Sequence, residues 1–306
     1  MGRPARRWRQ RPSGRHGGAH MKGARHFPGR KKTGGFSLIE LMIALVLGLL
    51  VLGAAFVVFQ SNQNSYRANE GLNRIQESAR VAFELMSQDI RSAGGSACST
   101  ASVVETTGTQ SNAFRDTPIT GDGSELTVVS GEDTAYRITA SSATSITLDS
   151  TQISDATERF EVGDWLLLCN VRKSFVVQAT SVTSSAIGFA ALPGNYNPGA
   201  DAHAPPSSLM VGRLRNARWY VADNNRGGSS LYVSRFGGAG EEVTDGVQSI
   251  AFSYLQQGSS TYTSSPGDWS TVIGVRAALV LTGQDVDGKA LTRNSSNVFS
   301  LRSRTL

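Results

Sequence analysis

Histidine and cysteine are scarce in this sequence, and acidic residues are missing from its first 39 positions. Three of the four histidines, His16, His20 and His26, stand near the N-terminus, which leaves His203 as the only imidazole in the body of the chain. One histidine and two cysteines do not make a metal centre without carboxylate help. A Ser-His-Asp triad would have to use His203, which stands in the Pro/Gly/Ala-rich stretch Asn197–Pro206, a mobile-loop composition and a poor support for a general base. No catalytic constellation is recognisable, so the chain reads as a non-enzyme with no cofactor.

The missing acids also mean that charge is segregated. Residues 1–35 hold eleven Lys/Arg and no Asp or Glu, leaving nineteen basic residues against all 24 acidic ones, a net −5, for the remainder. The pI of 9.6 therefore belongs to the leader. An acidic body lacks the clustered Lys/Arg that phosphate backbones require, so direct nucleic-acid binding is not expected. At 306 residues the chain is long enough to bury a sizeable core.

One apolar run is present in strength. Arg30, Lys31 and Lys32 are followed by Thr33-Gly34-Gly35 and then by Phe36–Phe59, 24 residues in which only Ser37 and Glu40 are strongly polar. As a helix the run measures roughly 36 Å, enough for a hydrocarbon core of about 30 Å. The positive-inside rule keeps the Arg/Lys cluster cytoplasmic and places the residues after Phe59 across the membrane. A secretory signal cut near Gly53-Ala54-Ala55 fits the small-residue pattern, but its apolar stretch exceeds the usual ~7–15 residues and continues past the cut, whereas a plain signal anchor fits length and charge. Neither explains Glu40, a carboxylate whose insertion costs about 2.5–3.5 kcal/mol and which calls for a partner.

Lys31-Lys32-Thr33-Gly34-Gly35-Phe36-Ser37-Leu38-Ile39-Glu40 resembles the cleavage and methylation motif of type IV prepilins and type II secretion pseudopilins. The resemblance implies that prepilin peptidase cuts the Gly35–Phe36 bond and methylates Phe36, with Glu40 the acid of the motif. Cleavage would leave an amine four residues from Glu40, and in a stack of subunits that amine and a neighbour's Glu40 can relieve one another's desolvation. Glu40 is thus expected to be an assembly latch; the alternative is a glutamate that snorkels to the interface. Residues 1–35 are then a basic leader, long for that family, and Met21 is the expected true start.

Beyond the run, Leu72, Ile75, Ala79, Phe83, Met86 and Ile90 form one apolar stripe at helical spacing, with Arg67, Glu70, Arg74, Glu77, Arg80, Glu84 and Asp89 on other faces. Gly94-Gly95 is a stop signal. One helix is expected over residues 36–94, membrane-spanning over 36–59. Residues 95–306 read as a β-rich head, giving an α+β fold. Short strands are expected at 126–130, 136–139, 145–148, 165–170, 174–180, 186–190, 217–222, 230–235, 247–255, 272–282 and 297–302. The first six suggest a small β unit, barrel or sandwich, inserted at about 122–192.

Leu214–Val221, Ser230–Phe236, the acidic Glu241–Gln248 and Phe252-Ser253-Tyr254 are similar in order and spacing to the C-terminal half of PilW-type minor pilins. Val298–Arg304 is similar to that family's closing strand. The resemblance implies a minor pilin that primes or caps a type IV pilus. Its partners would be prepilin peptidase, other minor pilins, the major pilin and the inner-membrane assembly platform. Its head would be periplasmic and later lie on the pilus, at its tip. The alternative is a J-type pseudopilin of a type II secretion system.

Gly283–Lys289 has the spacing of a phosphate loop, but Ala290 stands where a hydroxyl is needed, Asp285 and Asp287 repel phosphate, and no helix pattern comes after it. It reads as a hairpin turn without calcium's remaining ligands. Cys98 and Cys169 both fall on the oxidising side of the membrane in this topology and are expected to form a disulfide. The alternative is two separate buried thiols.

Overall fold

The computed structural model describes residues 34–98, 102–191, 209–286 and 289–304. The leader up to Thr33, with Met21, and the loop holding His203 lie outside the described residues, as do Asp287 and Gly288 of the expected turn. The chain divides between Val57 and Val58 into two units.

In the first unit Gly34–Ser37 is non-helical and α1 (Leu38–Ser92) begins. The apolar residues that form its opening turns leave no polar side chain to compete with the backbone, and none of the side chains up to Val57 is covered.

In the second unit α1 runs on to Ser92 and buries one face against the head. That face is Gly71, Ile75, Ala79, Ala82, Met86, Ile90 and, just past the helix, Ala93. It differs from the expected stripe: Leu72 and Phe83 are only half-buried at its border. Small residues take the centre because the helix comes close there. A Cβ on Gly283 would stand 3.0 Å from the Ile75 side chain and 3.3 Å from the Gly71 carbonyl. Asp89 is the larger correction, since it is buried, not on an outer face. The helix stops where Gly94 takes φ +66°, a conformation costly for any residue with a Cβ. Its last carbonyls are met from elsewhere: Gly95 N–H donates to Ser92 O at 2.8 Å, and Ser303 Oγ donates to Ala93 O at 2.6 Å.

The head contains β1 (Val103–Val104), α2 (Thr109–Arg115), β2 (Ile119–Gly121), β3 (Leu126–Gly131), β4 (Tyr136–Ser141), β5 (Ser145–Leu148), β6 (Trp165–Cys169), β7 (Lys173–Val182) and β8 (Ala186–Phe189). After them come β9 (Met210–Asp223), β10 (Ser229–Arg235), β11 (Glu241–Asp245), β12 (Val247–Gln256), β13 (Tyr262–Thr263), β14 (Val272–Val286) and β15 (Lys289–Ser300). β1 to β11 make one sheet; β12 to β15 make a second, in the order β13-β12-β14-β15.

Within the first sheet, β9 pairs with β6 and β4, β4 with β5, β5 with β8, β8 with β7 and β7 with β6. These pairings close a ring of antiparallel strands around Ile138, Ile146, Leu166, Phe175, Ile187 and Val211. β3 stands outside the ring, paired with the later half of β9 at Leu126↔Trp219 through Gly131↔Leu214.

β6 shows why a run such as Trp-Leu-Leu-Leu-Cys is apolar throughout. Leu166 and Leu168 point into the ring, while Leu167 and Cys169 point the other way into a small core with Phe114 of α2 and Val129. The largest core lies between α1, the second sheet and β3, β9 and β10; it contains Met86, Trp219, Phe252, Tyr254 and Phe299. β9 contributes to all three, through Val211, Leu214 and then Ala217 with Trp219. β14 and β15 pair as far as Val286↔Lys289. Both are longer than the expected 272–282 and 297–302; six of β15's first eight residues are polar or charged and give no apolar alternation.

Candidate functional site

The expected cleavage segment lies in open chain. Gly34 and Gly35 have nothing within 4 Å of where a Cβ would stand, and Phe36 is 87% exposed. The Gly35–Phe36 bond precedes α1 by two residues, in backbone that no helical hydrogen bond ties down. A protease that must bind extended backbone thus meets no structure to unwind.

Ser37 is the residue on which the helix starts. Its carbonyl accepts the first helical bond from Leu41 N–H at 3.2 Å, and its own N–H donates to Glu40 Oε2 at 3.3 Å. Ser37-Leu38-Ile39-Glu40 is therefore half of a capping box, with the carboxylate reaching back to an orphan donor at the positive end of the helix. The S-x-x-E signature is legible in the sequence, beside the charge on which the expected latch would rest. Cleavage between Gly35 and Phe36 would create an amine one residue before the N–H that Glu40 already accepts.

Downstream of this start, the apolar side chains from Leu38 to Phe59 are all more than half exposed where they are large. Among the described residues α1 is the one helix long and apolar enough to cross a membrane, and none of its most apolar stretch is buried.

Further along α1, in the second unit, the helix is fastened to the head by Asp89. Its carboxylate accepts from Arg215 Nη2 at 3.0 Å and from the buried Trp219 indole N–H at 3.0 Å. Both partners lie on β9, which explains the basic residues that hid its first half. Arg213 pairs with Glu132 at 2.7 Å, Arg215 with Asp89, and Arg218 with Glu125. The hydrogen bond to the Glu132 carboxylate raises the already high pKa of the Arg213 guanidinium. Sequence reasoning missed this site. The available signal was Asp89's place three residues after Met86 and beside Ile90, at the margin of the stripe.

Cys98 and Cys169 are joined in a disulfide, with their Cα atoms 6.1 Å apart. The bond ties the segment just after α1 to the end of β6, and Cys169 is buried. Arg304 ties the chain's last turn to the end of α2 and to the turn before β14, donating to the carbonyls of Arg115 and Asp116 at 3.0 and 2.9 Å and to that of Ser270. Among the described residues no group of three or more His, Cys, Asp and Glu is placed to hold a metal ion.

A family profile described as the prokaryotic N-terminal methylation motif matches residues 30–56. No curated protein and no solved structure matches the chain. The chain thus carries the N-methylation motif of prepilin-type proteins, the type IV pilins and pseudopilins. A long N-terminal apolar helix followed by a β-rich head of two sheets makes the fold α+β and pilin-like.

Proposed function

We propose that this chain is a minor pilin of the PilW type, which joins other minor pilins to prime or cap a type IV pilus. The observation that carries the reading is the methylation motif itself, set on open chain at the start of a single exposed apolar helix. Prepilin peptidase cuts between Gly35 and Phe36 and methylates Phe36. Residues 36–59 anchor the chain in the inner membrane with the head in the periplasm, where the Cys98–Cys169 disulfide suits the oxidising compartment. On extraction by the assembly platform the same apolar surface exchanges lipid for the helices of neighbouring subunits. Glu40 then pairs with a Phe36 amine, a contact that offsets the cost of a buried carboxylate only when both charges are present. The chain's work is structural; it catalyses no reaction.

The test is a deletion in the native host combined with proteomics of sheared surface filaments. The expected result is loss of most pili on deletion and recovery of this chain in wild-type filaments at a small fraction of the major pilin. Normal piliation with a block in protein secretion would instead identify the J-type pseudopilin, and normal piliation with normal secretion would overturn both.

A further inference from the structure

The second sheet ends on β15, and among the described residues no strand pairs with its outer side. The other outer strands of the head are blunted in recognised ways. β1, β2 and β13 are two or three residues long. β11 carries Glu241, Glu242 and Asp245, and its ladder to β10 is broken by a bulge. β15 is less protected: its register shift lies only at its start, where Val286 pairs with Lys289, and from Thr292 to Val298 its one charge is Arg293. It is twelve residues long, contains no proline, and is exposed at every position from Thr292 to Val298 except half-buried Ser295.

Its backbone polarity follows from two hydrogen bonds. Leu301 N–H donates to Ile273 O at 3.0 Å, and Thr282 N–H donates to Gly246 O at 2.8 Å on the β12 side. Odd-numbered residues of β14 therefore turn their backbone groups to β15 and even-numbered ones to β12. Through the register Leu281↔Arg293, Leu279↔Ser295 and Ala277↔Asn297, the inward-turned residues of β15 are Arg293, Ser295 and Asn297. Thr292, Asn294 and Ser296 then present their N–H and C=O groups outward. Val298 agrees with that parity: its outward N–H is taken by the side chain of Asn297 at 2.8 Å.

The edge is also the basic part of an acidic body. From Lys289 to Leu306 the sequence has Lys289, Arg293, Arg302 and Arg304 and no acidic residue. Arg304 is engaged with main-chain carbonyls, whereas Arg293 and Arg302 are exposed. The head's own acidic edge is a poor complement, because Glu242 on β11 is already paired with Arg226 and bonded by Ser230.

We infer that β15 is a docking edge that accepts an acidic extended strand from the head of a different, neighbouring subunit. The strand adds through the backbone groups of Thr292, Asn294 and Ser296, and Arg293 meets its carboxylates. The inference rests on the reading of this chain as a filament subunit.

It is tested with the full-length chain in its native host, carrying a benzoylphenylalanine photo-crosslinker at Thr292 or, as a reference, at exposed Gln63 on the stalk part of α1. A Thr292 adduct with another pilin is expected. Ser296→Pro should cut its yield at least tenfold, because it deletes an outward N–H that no ladder uses and so leaves folding intact. Arg293→Glu should cut the yield severalfold. Chain level and an oxidised Cys98–Cys169 pair report that each variant folds; Ser295→Pro, which removes an inward N–H, is expected to fail that check. Adducts at Gln63 with none at Thr292, a Thr292 adduct indifferent to Ser296→Pro, or an adduct between two copies of this chain would overturn the inference. Absence of adducts at both positions, with the chain missing from sheared filaments, would overturn the filament reading along with it.

Discussion

At the scale of single residues, two carboxylates on one helix do different work. Glu40 bonds the Ser37 N–H at the helix start and carries the charge that the proposed latch would require. Glu40→Gln keeps an acceptor for that N–H and removes the charge; Glu40→Ala removes both. Both variants should be inserted and cleaved, and both should be depleted at least tenfold from sheared filaments relative to the membrane pool. Quantitative proteomics of the two fractions checks this, and normal incorporation of the Gln variant would reduce Glu40 to a cap. Asp89 belongs to stability. Asp89→Ala leaves the buried Trp219 N–H and the partly buried Arg215 without their acceptor, a loss of about 2–3 kcal/mol discounted for Arg215's exposure. Denaturant melts of the detergent-solubilised chain measure it, and a change under about 0.5 kcal/mol, the usual range for surface substitutions, would show that the helix is held by its apolar face alone. Glu40 stood out in the sequence as a lone acid in an apolar run, though its capping of Ser37 was not read there. Asp89 did not stand out, because among eight charged residues from Arg67 to Arg91 nothing local marks the one that faces inward; its partners lie 126 and 130 residues away.

At the scale of elements, legibility followed apolar pattern. β5 was expected at Ser145–Leu148 and is there, because alternating Ile146 and Leu148 fill the ring core from one face. The first half of β9 was hidden by Arg213 and Arg215, and most of β15 by its Ser/Asn run. Such strands are specified by their neighbours' registers and by ion pairs that no single segment displays. α2 was missed as well; its seven residues hold one buried large side chain, Phe114, too few for a helical period. The disulfide links the segment just after α1 to the end of β6 across 71 positions. Because it closes a long loop, replacing both cysteines with serine should cost about 2–4 kcal/mol. The same melts, with and without reductant, read the change. A midpoint that reductant leaves unmoved in the wild-type chain would mean that packing of Phe114, Val129 and Leu167 holds this part of the head unaided.

At the scale of the whole molecule, the chain combines a part with no core of its own and a part with three. The apolar start of α1 has no use in a lone water-soluble protein, and an array of helices or a bilayer is the environment that its composition demands. The inserted β unit expected at about 122–192 stands as a proposal in an amended form. The ring of strands is filled by residues from Ile138 to Val211, so its last strand is borrowed from β9, which also carries the main core. We propose that the ring opens only together with the rest of the head, because cutting β9 loose would expose all three cores.

The measurement that bears most directly on the whole reading is the intact mass and N-terminal sequence of the protein isolated from its native host. A chain that begins with N-methylated Phe36, its leader removed after Gly35, is the expected result. A chain that begins at Ser37 or after Ala55, or one that keeps its leader, would contradict the assignment of this protein as a processed filament subunit.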